Sequence, residues 1–178
     1  VLRSPNSISV YAALACIAIQ SNQNDQHGGQ AIPNFDYGMA PGVAKSYIKH
    51  FYHNLAKAIS LLENMDGEKI ATTIKNKLVL KPTLDNNEEF NTAIKTELLN
   101  NNIKNIDKII EFSNKTAYQE TDKETYQAME AFIHNLNTMH SRAGAQVPFS
   151  SINFGTDTSP EGRMVIKNYL LATDAGLG

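Results

Sequence analysis

The sequence predicts an α/β fold in which helix is the majority. Three observations carry that prediction. Apolar residues recur at three- and four-residue steps through most of the chain, the mark of amphipathic helices. Extended or period-two patterning occurs in only two places, residues 31–36 and 145–154. Each of those stretches follows a polar, glycine-bearing turn that closes a helical pattern, so both strands are expected in one sheet.

The first element expected is a helix over residues 5–23. Ser4 suits the cap and Pro5 the first helical position. From Val10 to Ile19 the pattern is apolar nearly all round, so this helix should be covered on every side, by other parts of a larger protein or by a dimer partner. Cys16 lies inside it with no neighbouring base or cation, and reads as a buried, inert thiol. The helix runs out into Asn22-Gln23-Asn24-Asp25-Gln26-His27-Gly28-Gly29-Gln30. Its glycines leave backbone N–H groups accessible, and its amides suit sugar hydroxyls, a base edge or a phosphate. A plain polar turn is the alternative. His27 has no second ligand at metal-binding spacing.

Residues 31–37 read as extended and Gly38 to Gly42 as a turn. A helix over 43–64 follows, with Val43, Tyr47, Ile48, Phe51, Leu55, Ile59 and Leu62 recurring at three- and four-residue steps, and with Lys45, Lys49, His50, His53 and Lys57 on a solvated face. Residues 65–120 read as a helical surface excursion rich in Asn, Lys and Glu, divided by Pro82, with the Asn runs at 86–87 and 100–102 as compositional noise. A helix over 122–139 leads into a second polar turn, His140 to Gln146. There Arg142 offers a five-donor fork for phosphate or carboxylate, and Ala143, Gly144 and Ala145 allow close approach to the backbone. Arg142 could equally pair with Asp157 and tether the loop. The strand 145–154 holds Pro148, which puts it at an edge, at a bulge or near its own start. Ser159-Pro160-Glu161 opens a last helix over 159–175.

The 178 residues suit one domain or a piece of a larger one. A net charge of −2 argues against nucleic acid as the main partner. No apolar run approaches the roughly 20 residues that span a bilayer, so no membrane partner is expected. One cysteine excludes an internal disulfide and fits a reducing cytoplasm. The absence of an initial methionine and the end at Gly178 are read as an internal fragment. No Ser-His pair, carboxylate pair or phosphate loop followed by Lys-Ser/Thr appears; the residues speak for binding a polar ligand.

Two long motifs, Gln20 to Gln30 with Ile32-Pro33-Asn34-Phe35-Asp36-Tyr37, and His140 to Arg163, resemble the anaerobic (class III, glycyl-radical) ribonucleoside-triphosphate reductases. They occur in the family's order, and the middle of the chain carries no recognised signature. The resemblance implies part of a ten-stranded α/β barrel built of two five-stranded halves. It also implies reduction of ribonucleoside triphosphates by a thiyl radical that a glycyl radical generates, with formate as reductant. It further implies ATP and dNTP effectors, a zinc site in a C-terminal part absent here, a radical-SAM activating enzyme and a homodimer through helices 5–23 and 43–64. This sequence holds neither the radical glycine motif nor a zinc-type cysteine set, so the segment alone should be inactive and should bind no cofactor itself.

On that resemblance the substrate-binding candidates are Gln26, His27, Gly28, Gly29, Gln30, His140, Ser141, Arg142, Gly144 and Gln146, two turns expected to meet at one rim of the sheet. Asn6, Gln20 and Lys49 are the candidates for a specificity effector, with Lys49 facing phosphate. A non-catalytic helical interaction module carrying similar motifs is the alternative.

Overall fold

The computed structural model describes residues 5–23, 30–32, 34–85, 87–142, 150–152 and 157–176; for residues 20–23, 30–32, 139–142 and 150–152 it describes the backbone alone. Among them are six helices: α1 (Ile8–Gln23), α2 (Phe35–Glu63), α3 (Gly67–Lys77), α4 (Glu88–Asn100), α5 (Ile106–Arg142) and α6 (Pro160–Gly176). Two strands of three residues, β1 (Gln30–Ile32) and β2 (Ser150–Ile152), pair in parallel with Ala31 opposite Ser151. The expected α/β class and the ten-stranded barrel are therefore corrected: this is a helical fold, and its only sheet among the described residues is that short ladder. The physical reason is economy of apolar surface. Helix packs against helix throughout, and no strand here is long enough to present a face.

Two compact units result, one of Val1–Lys45 with Asp122–Gly178 and the other of Ser46–Thr121. In the first, Ser7 caps α1, its Oγ accepting the Val10 N–H at 3.3 Å, so the helix starts later than the Ser4-Pro5 signal. α2 begins at Phe35 and runs straight through the expected turn at 38–42, Pro41 included. Packing overrides the turn residues. Phe35, Met39 and Val43 stand four apart and are all buried. Gly42 serves packing, since a Cβ there would sit 3.0 Å from the Ile8 Cα and 2.9 Å from the Tyr11 ring. Phe35 stacks on Phe132 of α5 (centroids 4.9 Å apart) and meets Tyr169 of α6 edge-on. Cys16 is buried in this unit, and burial raises its thiol pKa, against a weaker lowering by Asn135.

In the second unit the stretch expected as a surface excursion is helical and encloses its own core: Phe51, Leu55, Ile59, Ile74, Phe90, Ile94, Leu98 and Ile109 are all buried. α3 and α4 stop and start on either side of Pro82, as the sequence implies. α5 is one continuous helix of 37 residues, not a helix confined to 122–139. Its apolar period fades midway because Ser113, Thr121 and Thr125 occupy inward positions. The Ser113 and Thr121 hydroxyls donate to the carbonyls of Ile109 and Ala117 and are satisfied there.

Candidate functional site

In the first unit each strand of the short ladder follows a helix along the chain. α1 ends at Gln23 and α5 at Arg142; the strands that follow begin at Gln30 and Ser150, which are register partners. Gln26, His27, Gly28, Gly29, Gly144 and Gln146 lie outside the described residues, and so does the Gly28–Gly144 separation. Gln30 opens β1, and His140, Ser141 and Arg142 form the last residues of α5; these four are placed by backbone.

The start of α6 is built in full. Ser159 caps it, its Oγ accepting the Gly162 N–H at 3.1 Å, as the Ser-Pro-Glu signal predicts. Asp157 Oδ1 accepts the Ser159 N–H at 2.8 Å. A side chain at Gly162 would collide with the Asp157 carboxylate at 2.8 Å. Asp36, fully buried in the first turn of α2, accepts the Asp157 N–H at 3.1 Å, where the helix N-terminus favours a negative charge. Further along α6, burial works to raise the Asp122 carboxyl, but hydrogen bonds from Asn168 (2.9 Å) and Lys167 (2.7 Å) outweigh it and lower the pKa. These carboxylates hold the loop before α6 and α6 itself.

In the second unit the candidate is a groove between α2 and α3, about 460 Å³ in volume. Lys49, His53 and Lys57 line one wall at four-residue spacing; Thr72 and Lys75 line the other. α3 can lie this close because Gly67 rests against the Ala56 carbonyl and donates its N–H to Ser60 Oγ at 3.1 Å. Lys75 Nζ stands 5.7 Å from the Tyr52 ring centroid. Asn6 is exposed just ahead of α1 and Gln20 lies in α1; both belong to the first unit and Lys49 to the second. Lys75 and Thr72 escaped the sequence reading because only tertiary packing brings α3 against the Lys49 face.

One asparagine expected as noise, Asn87, belongs to a network with Asn91, Asn114 and Tyr47. Tyr47 donates to Asn114 Oδ1 at 2.8 Å, Asn87 Nδ2 reaches the same oxygen at 3.0 Å, and Asn114 donates on to Asn91 at 3.2 Å. Burial pushes the Tyr47 hydroxyl up to about 12, against a weaker lowering by Asn87. These bonds tie α2, α4 and α5 together as a polar clamp. Among the described residues no group of three His, Cys, Asp or Glu side chains is arranged to hold a metal.

Comparison with known proteins decides the lineage. The family model described as anaerobic ribonucleoside-triphosphate reductase matches residues 1–178. The chain belongs to the anaerobic ribonucleoside-triphosphate reductases. Proteins of that name are similar to it in Enterobacteria phage T4 (24% identical), Salmonella typhimurium (33%) and Escherichia coli K12 (27%), each over 177 residues, 99% of this chain. The chain covers 21% of the phage reductase and 18% of each bacterial one, so it spans about a fifth of the curated relatives it matches. A match over the whole chain takes in the middle stretch that carries no recognised motif, which counts against a helical module with borrowed motifs.

Proposed function

We propose that the protein carrying this chain converts ribonucleoside triphosphates to deoxyribonucleoside triphosphates, and that this segment contributes nucleotide-binding and dimer-interface elements. The radical chemistry, with formate as reductant, comes from groups this sequence does not contain. The residues here bind and position. The observation that carries the substrate reading is the register Gln30↔Ser150, which sets the strand that follows the first polar turn beside the strand that follows the second. Both turns therefore lead into the same end of one parallel ladder. That end is the amino end of the strands, so glycine N–H groups, amides and the Arg142 fork, rather than carboxyl-end loops, would receive the nucleotide.

The test is Arg142→Ala in the full-length protein. Loss of a charge-assisted contact should weaken ribonucleotide binding by about tenfold to a hundredfold with the far-ultraviolet circular dichroism unchanged. A loss of stability at unchanged affinity would instead assign Arg142 to tethering the loop. The effector reading of Lys49 rests on its exposure in the α2–α3 groove of the second unit. Lys49→Ala should lower deoxynucleotide affinity, and unchanged affinity would remove Lys49 from that role.

A further inference from the structure

The asparagine clamp of the second unit has a direction. The Thr83 N–H donates to Asn87 Oδ1 at 2.6 Å, and a backbone donor fixes which end of that amide is oxygen. Asn87 Nδ2 then donates to Asn114 Oδ1 at 3.0 Å, and Asn114 Nδ2 to Asn91 Oδ1 at 3.2 Å. Each amide accepts on one side and donates on the other, so the relay ends on the Asn91 NH2 group, whose donors meet no acceptor among the described residues. Asn91 and Asn114 line a cavity of about 600 Å³ between α4 and α5. In its lining Lys95 and Asp107 pair at 3.6 Å, whereas Glu111 and Lys115, one turn apart on α5, make no ion pair among the described residues. Side chains at that spacing stand roughly 5–6 Å apart at Cβ, a gap that one small zwitterion bridges. A second cavity, of about 440 Å³, shares Asn91, Asn114 and Lys115 with the first and adds Leu84 and Tyr118, which is 44% exposed. Asp85 and Glu88 also line the second cavity and repel a carboxylate from it.

We propose that the two cavities together form a site for a free α-amino acid with a large apolar or aromatic side chain. Its carboxylate accepts from Asn91 Nδ2 and Lys115 Nζ, its ammonium faces Glu111, and its side chain lies on Leu84 and Tyr118. Hydrogen bonds to ionised groups are the strong ones, and the amide relay orients the Asn91 donors before the ligand arrives, which lowers the cost of binding. A residue inside a peptide lacks the two free charged ends, so the site selects the free zwitterion. The inference goes beyond the reductase reading and uses none of its residues.

The experiment is calorimetric titration of the full-length protein with L-phenylalanine and with two analogues, N-acetyl-L-phenylalanine, which lacks the ammonium, and L-phenylalaninamide, which lacks the carboxylate. L-phenylalanine should bind, and each analogue should bind tenfold or more weakly. Glu111→Gln should weaken L-phenylalanine tenfold or more and leave the N-acetyl analogue where it was; Lys115→Gln should do the same for L-phenylalanine and leave the amide where it was. Asn91→Asp keeps an acceptor for Asn114 Nδ2 but removes the terminal donors, so it should weaken L-phenylalanine tenfold or more with the thermal melt unchanged. Lys108→Gln, an exposed position on α5 outside both linings, should change nothing. No binding of L-phenylalanine would overturn the site. So would equal affinity for all three ligands, which would mean apolar contact alone, or an equal loss in Lys108→Gln, which would mean diffuse attraction to the helix surface. Failure here leaves the reductase reading standing, because that reading is measured by ribonucleotide binding at Arg142.

Discussion

Asn102 shows how much a single side chain decides. It follows α4 with φ 60°, in the left-handed region. The Ile103 N–H bonds back to the Leu98 carbonyl at 3.1 Å and the Asn102 N–H to that of Leu99 at 3.0 Å. Together these close a Schellman motif, with Ile103 and Leu98 both buried in the same core. Asn64 adopts the same left-handed backbone after α2, at φ 53°. Asparagine tolerates this backbone because its short side chain bonds locally, whereas a β-branched residue does not. Asn102→Val should therefore cost about 1–2 kcal/mol in urea unfolding, and Asn102→Gly should be neutral or slightly stabilising. Equal stability of the Val variant would show that the cap is not constraining the turn.

At the scale of elements, the start of α5 depends on the end of α2. Glu63 Oε1 accepts the N–H groups of Lys104 and Asn105, each at 2.9 Å, satisfying donors at an otherwise open helix N-terminus. The Asn105 and Lys104 backbone bonds, in that order, hold the Glu63 carboxyl below its ordinary pKa. A carboxylate whose folded pKa is depressed stabilises the fold above its unfolded value, about 4.3 for glutamate, and that contribution disappears as pH falls through the folded value. Thermal melts from pH 7 down to pH 3 should show the loss, and Glu63→Gln should have a shallower acid dependence over the acidic end. Parallel profiles for the two proteins would remove Glu63 from the acid response. Glu63 sits on the surface, so the effect should also shrink as salt rises.

For the whole molecule, the informative feature is the outer face of α1. Ile8, Ala12, Cys16 and Ile19 are buried, while Val10, Leu14 and Ile17 are 39%, 47% and 57% exposed. The all-round apolar pattern thus leaves an uncovered stripe at spacing i, i+4, i+7, which in the full-length protein calls for a covering surface. The proposed homodimer through α1 and α2 supplies one. Leu14→Asp should leave the helical content intact, since the side chain is half exposed, and shift the full-length protein from dimer to monomer in sedimentation velocity. Persistence of the dimer would send the interface elsewhere.

What the sequence determined alone was the lineage and most of the helical segments. The two motifs from Gln20 and from His140 carried the family, because polar, glycine-rich turns are specified residue by residue and read without knowing their neighbours. The helical period at 47–62 and the Ser159 cap were legible for the same reason: both are local. What only tertiary structure decided was everything in which a residue serves a distant partner. Gly38, Pro41 and Gly42 spell a turn locally, yet the contacts of Gly42 with α1 keep them helical. Ser113 and Thr121 blur the apolar period of α5 because their hydroxyls are satisfied inside the helix. Of the asparagines that looked like noise, Asn102 closes α4 and Asn87 joins a clamp with Tyr47. Lys75 becomes part of a cationic groove only once Gly67 lets α3 lie against α2. Periodicity records which face a helix buries; it holds no information about which helix will lie against that face.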